Sequence, residues 1–241
     1  MHGKVTQATR LLDKESQSLG LHELTDEIFE VLVSKHPDGK EVENSVASKY
    51  PQEGPEVEPA IFEQIDETAI YKAAKNTSGS AGPTLMDADC WQHILCLKCN
   101  GKKSVNLRTA IANVAKRLCT EDVESVCLEE LLSCRLIPLK KKNDPNGVRP
   151  IGIGEVIRRI IGKAVMATLK SDIMHACGSI QTCSGIDSGI EAAIHGMADK
   201  FKEAGTEAMI LVDATNAFNC MNRFAALLAV QNRCPAFYKY L

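Results

Sequence analysis

Two groups of residues in this sequence have the types and spacing to do chemistry. The first is a lone carboxylate. Met209, Ile210, Leu211 and Val212 lead straight into Asp213, and Phe218 follows in the stretch MILVDATNAFNCMNR. A run of Ile, Leu and Val is what a strand buried on both faces carries. Residues 207–213 are therefore predicted to form one, with Asp213 at its C-terminal end, where α/β and α+β proteins commonly build sites. A bare carboxylate there suits a hard cation such as Mg2+, which takes oxygen ligands and often keeps only one or two protein carboxylates, substrate phosphates completing the shell. The competing reading makes Asp213 the N-cap of a helix beginning near Asn216. Local pattern leaves the two level.

The second group is cationic. Lys140, Lys141, Lys142 and Arg149 flank NDPNG at 143–147, which is strong turn chemistry. The runs on either side, CRLIPLKKK from Cys134 and VRPIGI at 148–153, predict a β-hairpin, with Pro138 arguing for an edge strand. Cations on a protruding ribbon and a metal-holding carboxylate nearby are the two halves of a nucleoside triphosphate site, one neutralising the departing charge and the other holding the reacting phosphate. Arg grips phosphate oxygens with a planar fork, whereas Lys acts as a point charge. The alternative for the lysines is solvated loop decoration. Arg149, wedged between Val148 and Pro150, fits decoration less well.

The elements that must position these groups are mostly helical. Amphipathic spacing predicts helices over 21–34, 60–75, 155–173 and 184–201, and again over 216–230. In 155–173 the inward residues are Val156, Ile160, Val165 and Leu169. In 105–119 the stripe is Leu107, Ile111, Val114 and Leu118, best explained as core. Asp87 or Asp89 is placed to cap a helix that carries Trp91, Ile94 and Leu95 on one face. Residues 36–59, rich in Pro, Gly and Glu, predict a linker, and NTSGSAGP at 76–83 predicts a second break. The fold class is thus α+β, mostly helical, with a basic β-hairpin and one buried strand.

Net charge is −3 over 241 residues, but the signs are segregated. Residues 1–75 hold 8 Lys/Arg against 15 Asp/Glu, and residues 131–170 hold 9 against 2. A concentrated basic segment points to a polyanionic partner such as phosphates. No apolar run approaches the roughly 20 residues that span a bilayer, and the first residues lack the apolar core of a secretory signal. An intracellular chain, nuclear or cytoplasmic, with no membrane partner is the expectation. Of ten cysteines only Cys96 and Cys99 form a close pair, with His93 nearby. A zinc site would want a second pair, so reduced, helix-face cysteines are the better reading.

In order along the chain, RLIPLKKKNDPNGVRPIGIGEVIRRIIGKAV, CSGIDSGIEAAIHG and LVDATNAFNCMNR resemble the fingers and first palm segment of reverse transcriptases from retroelements. That family has a basic fingers hairpin ending in an Arg-Pro-Ile/Leu element, a helix with a Ser/Gly-containing start, then a strand bearing Asp, three residues, Ala and an aromatic. The likeness runs over 81–223 and is best over 135–223; upstream, GPTLMDADCWQHIL resembles the Gly-Pro-x-x-x-Asp stretch that precedes the domain in many mobile-element polymerases. The resemblance implies a right-hand polymerase fragment. Asp213 would be the first catalytic, metal-binding aspartate, with the Ala214 carbonyl beside it. Phe218 would sit under the sugar of the incoming dNTP and exclude a 2′-hydroxyl, against ordinary helix-face packing as the plainer account. Arg149 and Lys141 would hold the triphosphate, the choice among the lysines being uncertain by one residue. Gln181, Ser184 and Gly185 would lie along the template. The partners implied are an RNA template, a DNA primer and dNTPs, with a two-metal Mg2+ site.

The boundaries that follow are an acidic helical region at 1–35, a flexible linker at 36–59, a helical region at 60–130 and a partial reverse transcriptase domain at 131–241. The family's aromatic-x-Asp-Asp element is missing, since no two aspartates are adjacent anywhere. The expectation is therefore an N-terminal portion that should not polymerise as given. The alternative is a non-catalytic, nucleic-acid-binding remnant of a mobile element; a helical structural protein with no nucleic-acid role is a distant third.

Overall fold

A computed structural model describes residues 20–48, 56–97, 101–141, 144–179, 181–182 and 185–241; Lys142, Ser184 and Cys99 lie outside them. Along the chain come α1 (Asp26–Ser34), α2 (Asn44–Ala47), a 3-10 segment (Pro59–Gln64), α3 (Glu67–Lys75), α4 (Ala88–Cys96), α5 (Gly101–Thr120) and α6 (Ser125–Leu132). Strands β1 (Cys134–Lys141) and β2 (Asp144–Gly154) follow, then α7 (Val156–Thr168), α8 (Lys170–Cys177), α9 (Gly189–Lys202), α10 (Ala217–Cys220), α11 (Arg223–Arg233) and α12 (Pro235–Tyr238). The chain is α+β, mostly helical with one small antiparallel sheet. Among the described residues no helix is long and apolar enough to cross a membrane.

Helix α7 is the centre of the core. Val156, Ile160, Ile161 and Val165 are buried along it, and Leu169 just after it, so the inward residues expected from spacing are the ones that pack. Each such side chain contributes about 1.5–3 kcal/mol relative to exposure. They meet Ile70, Ala73 and Ala74 of α3, Leu95 of α4, and Phe62 and Ile65 from the 3-10 segment and its end. Ala236 of α12 closes the same cluster, which therefore joins residues from both halves of the sequence.

Helix α5 packs on a different face from the one its large residues mark. Its buried residues are Ser104, Ile111, Ala112, Ala115 and Cys119, whereas Leu107 is 38% exposed and Val114 47%. At 3.6 residues per turn the buried face is rotated by roughly 70° from the expected stripe. Alanines on that face let α3 and α7 come close, and close approach outweighs the larger side chains beside it.

Helix starts follow their caps. Thr25 Oγ1 accepts from Ile28 N–H at 3.3 Å, Asp66 Oδ1 from Ala69 N–H at 2.8 Å, and Asp87 Oδ1 from Cys90 N–H at 2.8 Å. Thr25 is why α1 begins at Asp26, later than the spacing alone suggested.

The hairpin forms, with Arg135 opposite Ile153, Ile137 opposite Ile151 and Leu139 opposite Arg149. Its second strand starts at Asp144 rather than Val148, so residues 144–147 of the expected turn belong to β2, and Asn143 lies outside the described residues. The register slips between Lys140 and Lys141, and Lys141 faces Asp144. A Cβ on Gly147 would meet the Asp144 carboxylate and the Lys141 stem, both exposed side chains that would have to swing aside. Pro138 stands opposite Pro150, so neither can donate to the ladder. The outer side of β1 is met by the N-terminal arm: His22 N–H donates to Pro138 O at 2.9 Å, and Lys140 N–H to Gly20 O at 3.2 Å.

The expected buried strand over 207–213 is absent. The segment has no regular secondary structure, and Ile210, Leu211 and Val212 are 86%, 80% and 88% exposed. A strand must pair its N–H and C=O groups with a neighbour. Among the described residues the only sheet is the hairpin, so this run has nothing to pair with. The predicted helix over 216–230 likewise breaks in two, with Asn222 capping the second piece through its Oδ1 and the Ala225 N–H at 3.0 Å.

Candidate functional site

The hairpin and the Asp213 segment are held to one another through the N-terminal arm. Lys35, the C-cap residue of α1, donates from Nζ to the Val148 carbonyl at 2.6 Å. Its own carbonyl accepts from Asn216 Nδ2 at 3.0 Å. One residue thus touches the hairpin next to Arg149 and the loop three positions after Asp213. At the other end of α1, His22 Nε2 lies 3.2 Å from the Gly147 carbonyl, a contact that needs its proton on Nε2. Asn222 extends the tie, donating from Nδ2 to the carbonyls of Lys40 and Glu41 at 3.1 and 3.4 Å. Lys40 and Glu41, within the 36–59 stretch that composition marks as linker, are thus tied to the segment downstream of Asp213.

The cations are open to solvent. Lys140, Lys141 and Arg149 are exposed, and the Arg149 guanidinium has no hydrogen-bond or ion-pair partner among the described residues. Around the Lys35 ammonium, partial burial and then the charge of Lys141 hold its pKa below the ordinary lysine value, with Asp144 opposing. Asp144 is partly occupied at the start of β2, where its Oδ1 accepts from Asn146 N–H at 3.2 Å.

Asp213 and Ala214 are exposed, on unpaired backbone rather than at a strand end. Asp213 does not cap the next helix either. The residue in that position is Asn216, in the left-handed region at φ 52° and without a side-chain cap. Asn216 instead spends its amide on Lys35 and accepts from Asn219 Nδ2 at 3.1 Å. Phe218 is 92% exposed, so core packing does not explain it.

The template residues are less well gathered. Gln181 is exposed, Ser184 lies outside the described residues, and Gly185 sits at φ 77°, a conformation that favours glycine. A Cβ on Gly185 would come 3.4 Å from Met174 Cγ, so its near neighbour is α8.

For a metal, the donor set does not converge. Among the described residues no group of three His, Cys, Asp or Glu side chains is close enough to hold an ion. Asp213 alone is one ligand, and a two-metal site needs carboxylates on both ions. Of the possible zinc ligands, Cys99 lies outside the described residues; the Cys96 thiol faces the Tyr71 carbonyl at 3.9 Å and is pushed up in pKa by burial. The clefts of the helical body lie apart from this face, one of them lined by Leu118, Arg158, Leu227 and Tyr238.

Sequence reasoning missed Lys35, Asn216 and Asn222 as ties. Their partners are more than 100 positions away and are backbone carbonyls, which carry no residue-type signal. No family model matches the chain, and no curated protein or solved structure matches it either.

Proposed function

We propose that this chain is the fingers and first palm segment of an RNA-directed DNA polymerase of a retroelement, and that it grips the phosphates of a template–primer duplex. The observation that carries the reading is the ordered series in the sequence: a basic hairpin closing on Arg149-Pro150-Ile151, a glycine turn and helix, then Asp213 followed by Ala217-Phe218. Three features of the fold support it. The basic run forms a ribbon with Lys141 and Arg149 in solvent. The Asp213 loop is tied to that ribbon through Lys35. Asp213 and Phe218 have no structural employment as cap or core.

In the proposed roles, Lys141 and Arg149 hold the triphosphate of a dNTP, or a phosphate of the nucleic acid when no dNTP is bound, and Phe218 lies under the nucleotide's sugar. The Ala214 carbonyl assists Asp213, and Gln181, Ser184 and Gly185 follow the template. Mg2+ belongs to the proposal only together with carboxylates that the described residues do not bring to Asp213. That lone carboxylate favours a second reading for the chain by itself, namely nucleic-acid binding without catalysis.

Both readings are tested by binding a fluorescent RNA–DNA template–primer to the whole chain over a range of salt. The log of the affinity is expected to fall with log salt by about 0.9 per contacted phosphate. Lys141→Gln and Arg149→Gln are each expected to reduce that slope by about one contact. Binding that ignores salt, or slopes that ignore both substitutions, overturns the assignment of the hairpin. An extended chain carrying the missing carboxylates separates the readings: Asp213→Ala abolishes nucleotide incorporation under the first and changes nothing measurable under the second.

A further inference from the structure

The N-terminal arm places a cation that none of the site motifs contains. Lys35 Nζ reaches the Val148 carbonyl at 2.6 Å, next to Arg149 in the chain. Its neighbours in charge are Lys141 and Asp144, and Asp144 also accepts a hydrogen bond from the Asn146 N–H. An ammonium has three donors, and one of these is committed to Val148. Asp144 stands opposite Lys141 and offsets part of the positive charge felt by Lys35, so two lysines share one carboxylate and the surplus positive charge favours a further anion. An anionic oxygen bound there would take the remaining donors of Lys35 and neutralise both charges. The backbone of Lys35 is fixed as well, by Asn216 on one side and by the end of α1 on the other. Such a cation meets a ligand without losing the chain entropy that a loop lysine loses.

We infer that Lys35 is a third phosphate-binding cation of the hairpin site, delivered by the N-terminal arm and held at the hairpin through its contacts with Val148 and Asn216. The inference rests on reading the hairpin as a polyphosphate grip. It gives the arm a place in the site, since removing residues 20–36 would remove a phosphate ligand and the link to the Asp213 loop together.

The test measures template–primer binding against salt for the whole chain and for Lys35→Gln, Lys35→Arg, Lys141→Gln and Arg149→Gln. Glutamine keeps a donor for the Val148 carbonyl and loses the charge; arginine keeps the charge. Lys35→Gln is expected to lower the salt slope by about 0.9, with Lys35→Arg retaining it. If Lys141→Gln and Arg149→Gln lower the slope and Lys35→Gln does not, Lys35 is only an anchor and the inference is overturned, while the hairpin assignment stands. If none of the three lowers it, the hairpin assignment itself is wrong. The unaltered chain supplies a readout independent of variant folding. Acetylation by an N-hydroxysuccinimide ester, followed by mass spectrometry, should show inorganic triphosphate protecting Lys35 and Lys141 together. Protection of Lys141 with Lys35 unprotected overturns the inference.

Discussion

The carboxylate of Glu155 accepts two hydrogen bonds from Thr84, the backbone N–H on Oε1 and the hydroxyl on Oε2, both at 2.7 Å. Glu155 is only 3% exposed, at the N-cap of α7. Two arginines fasten the same loop. Arg159 donates to the carbonyls of Ser78 and Ser80, and Arg135 to that of Ala81. Gly82 lies so near the Glu155 backbone that a Cβ would come within 2.9 Å of its Cα. The Gly- and Ser-rich break at 76–83 is therefore clamped against the start of the hairpin and of α7.

That latch makes a stability prediction. A hydrogen bond to a charged group contributes about 1.5–3 kcal/mol, and two of them meet on Glu155. Glu155→Ala is expected to lower unfolding stability by about 3–5 kcal/mol, and Thr84→Val, which removes one bond, by about 1.5 kcal/mol. Urea denaturation checks both. A loss below about 0.5 kcal/mol for Glu155→Ala would mean that water replaces the latch without cost.

Cys119 gives a prediction in pH. Burial pushes its thiol from an ordinary 9.0 up to about 12. The folded state then keeps the proton that the unfolded state releases, so the unfolded state binds fewer protons between pH 9 and 12. The stability contributed is complete below pH 9 and is lost as pH rises through about 12. Burial raises Cys96, Cys234 and Tyr240 in the same direction. Urea midpoints should therefore fall steadily above pH 9, and Cys119→Ala should flatten the fall. A midpoint in the unaltered chain that holds constant to pH 11 contradicts this.

The rotated face of α5 is testable with two neighbouring residues. Ala115 is fully buried and Val114 is 47% exposed. Ala115→Leu inserts three carbons into a filled core, at a cost of about 1–3 kcal/mol. Val114→Ala should stay within about 0.5 kcal/mol of the unaltered chain. The opposite ranking in thermal or urea unfolding would restore the stripe of large residues as the packed face.

Where the sequence was legible, the cause of structure was local. Val156, Ile160, Val165 and Leu169 announce their buried face by spacing, and Asp87 its cap by type. Where it was not, the cause was distant. The run Met209–Val212 has the composition of a central strand, yet strand formation depends on a partner, and composition says nothing of whether one is present. Lys35, Asn216 and Asn222 bind carbonyls, which every residue has. For the candidate site, the hairpin cations could be read from the sequence, but the arm that joins them to the Asp213 loop could not.

Phe218 separates a structural from a functional residue most sharply. A phenylalanine that is 92% exposed buries almost nothing, so Phe218→Ala should change unfolding stability by less than about 0.5 kcal/mol. As core it would have cost about 3–5 kcal/mol. On the proposed reading the ring lies under the sugar of the incoming nucleotide and leaves no room for a 2′-oxygen. The same substitution, placed in an extended chain that incorporates dNTPs, should then admit ribonucleotides, raising kcat/KM for rNTPs relative to dNTPs by at least about tenfold, or about 1.4 kcal/mol of lost discrimination. Single-nucleotide insertion with matched rNTP and dNTP measures the ratio. Unchanged stability with an unchanged ratio would remove Phe218 from the nucleotide site, while leaving Asp213 and the hairpin cations to be judged by their own substitutions.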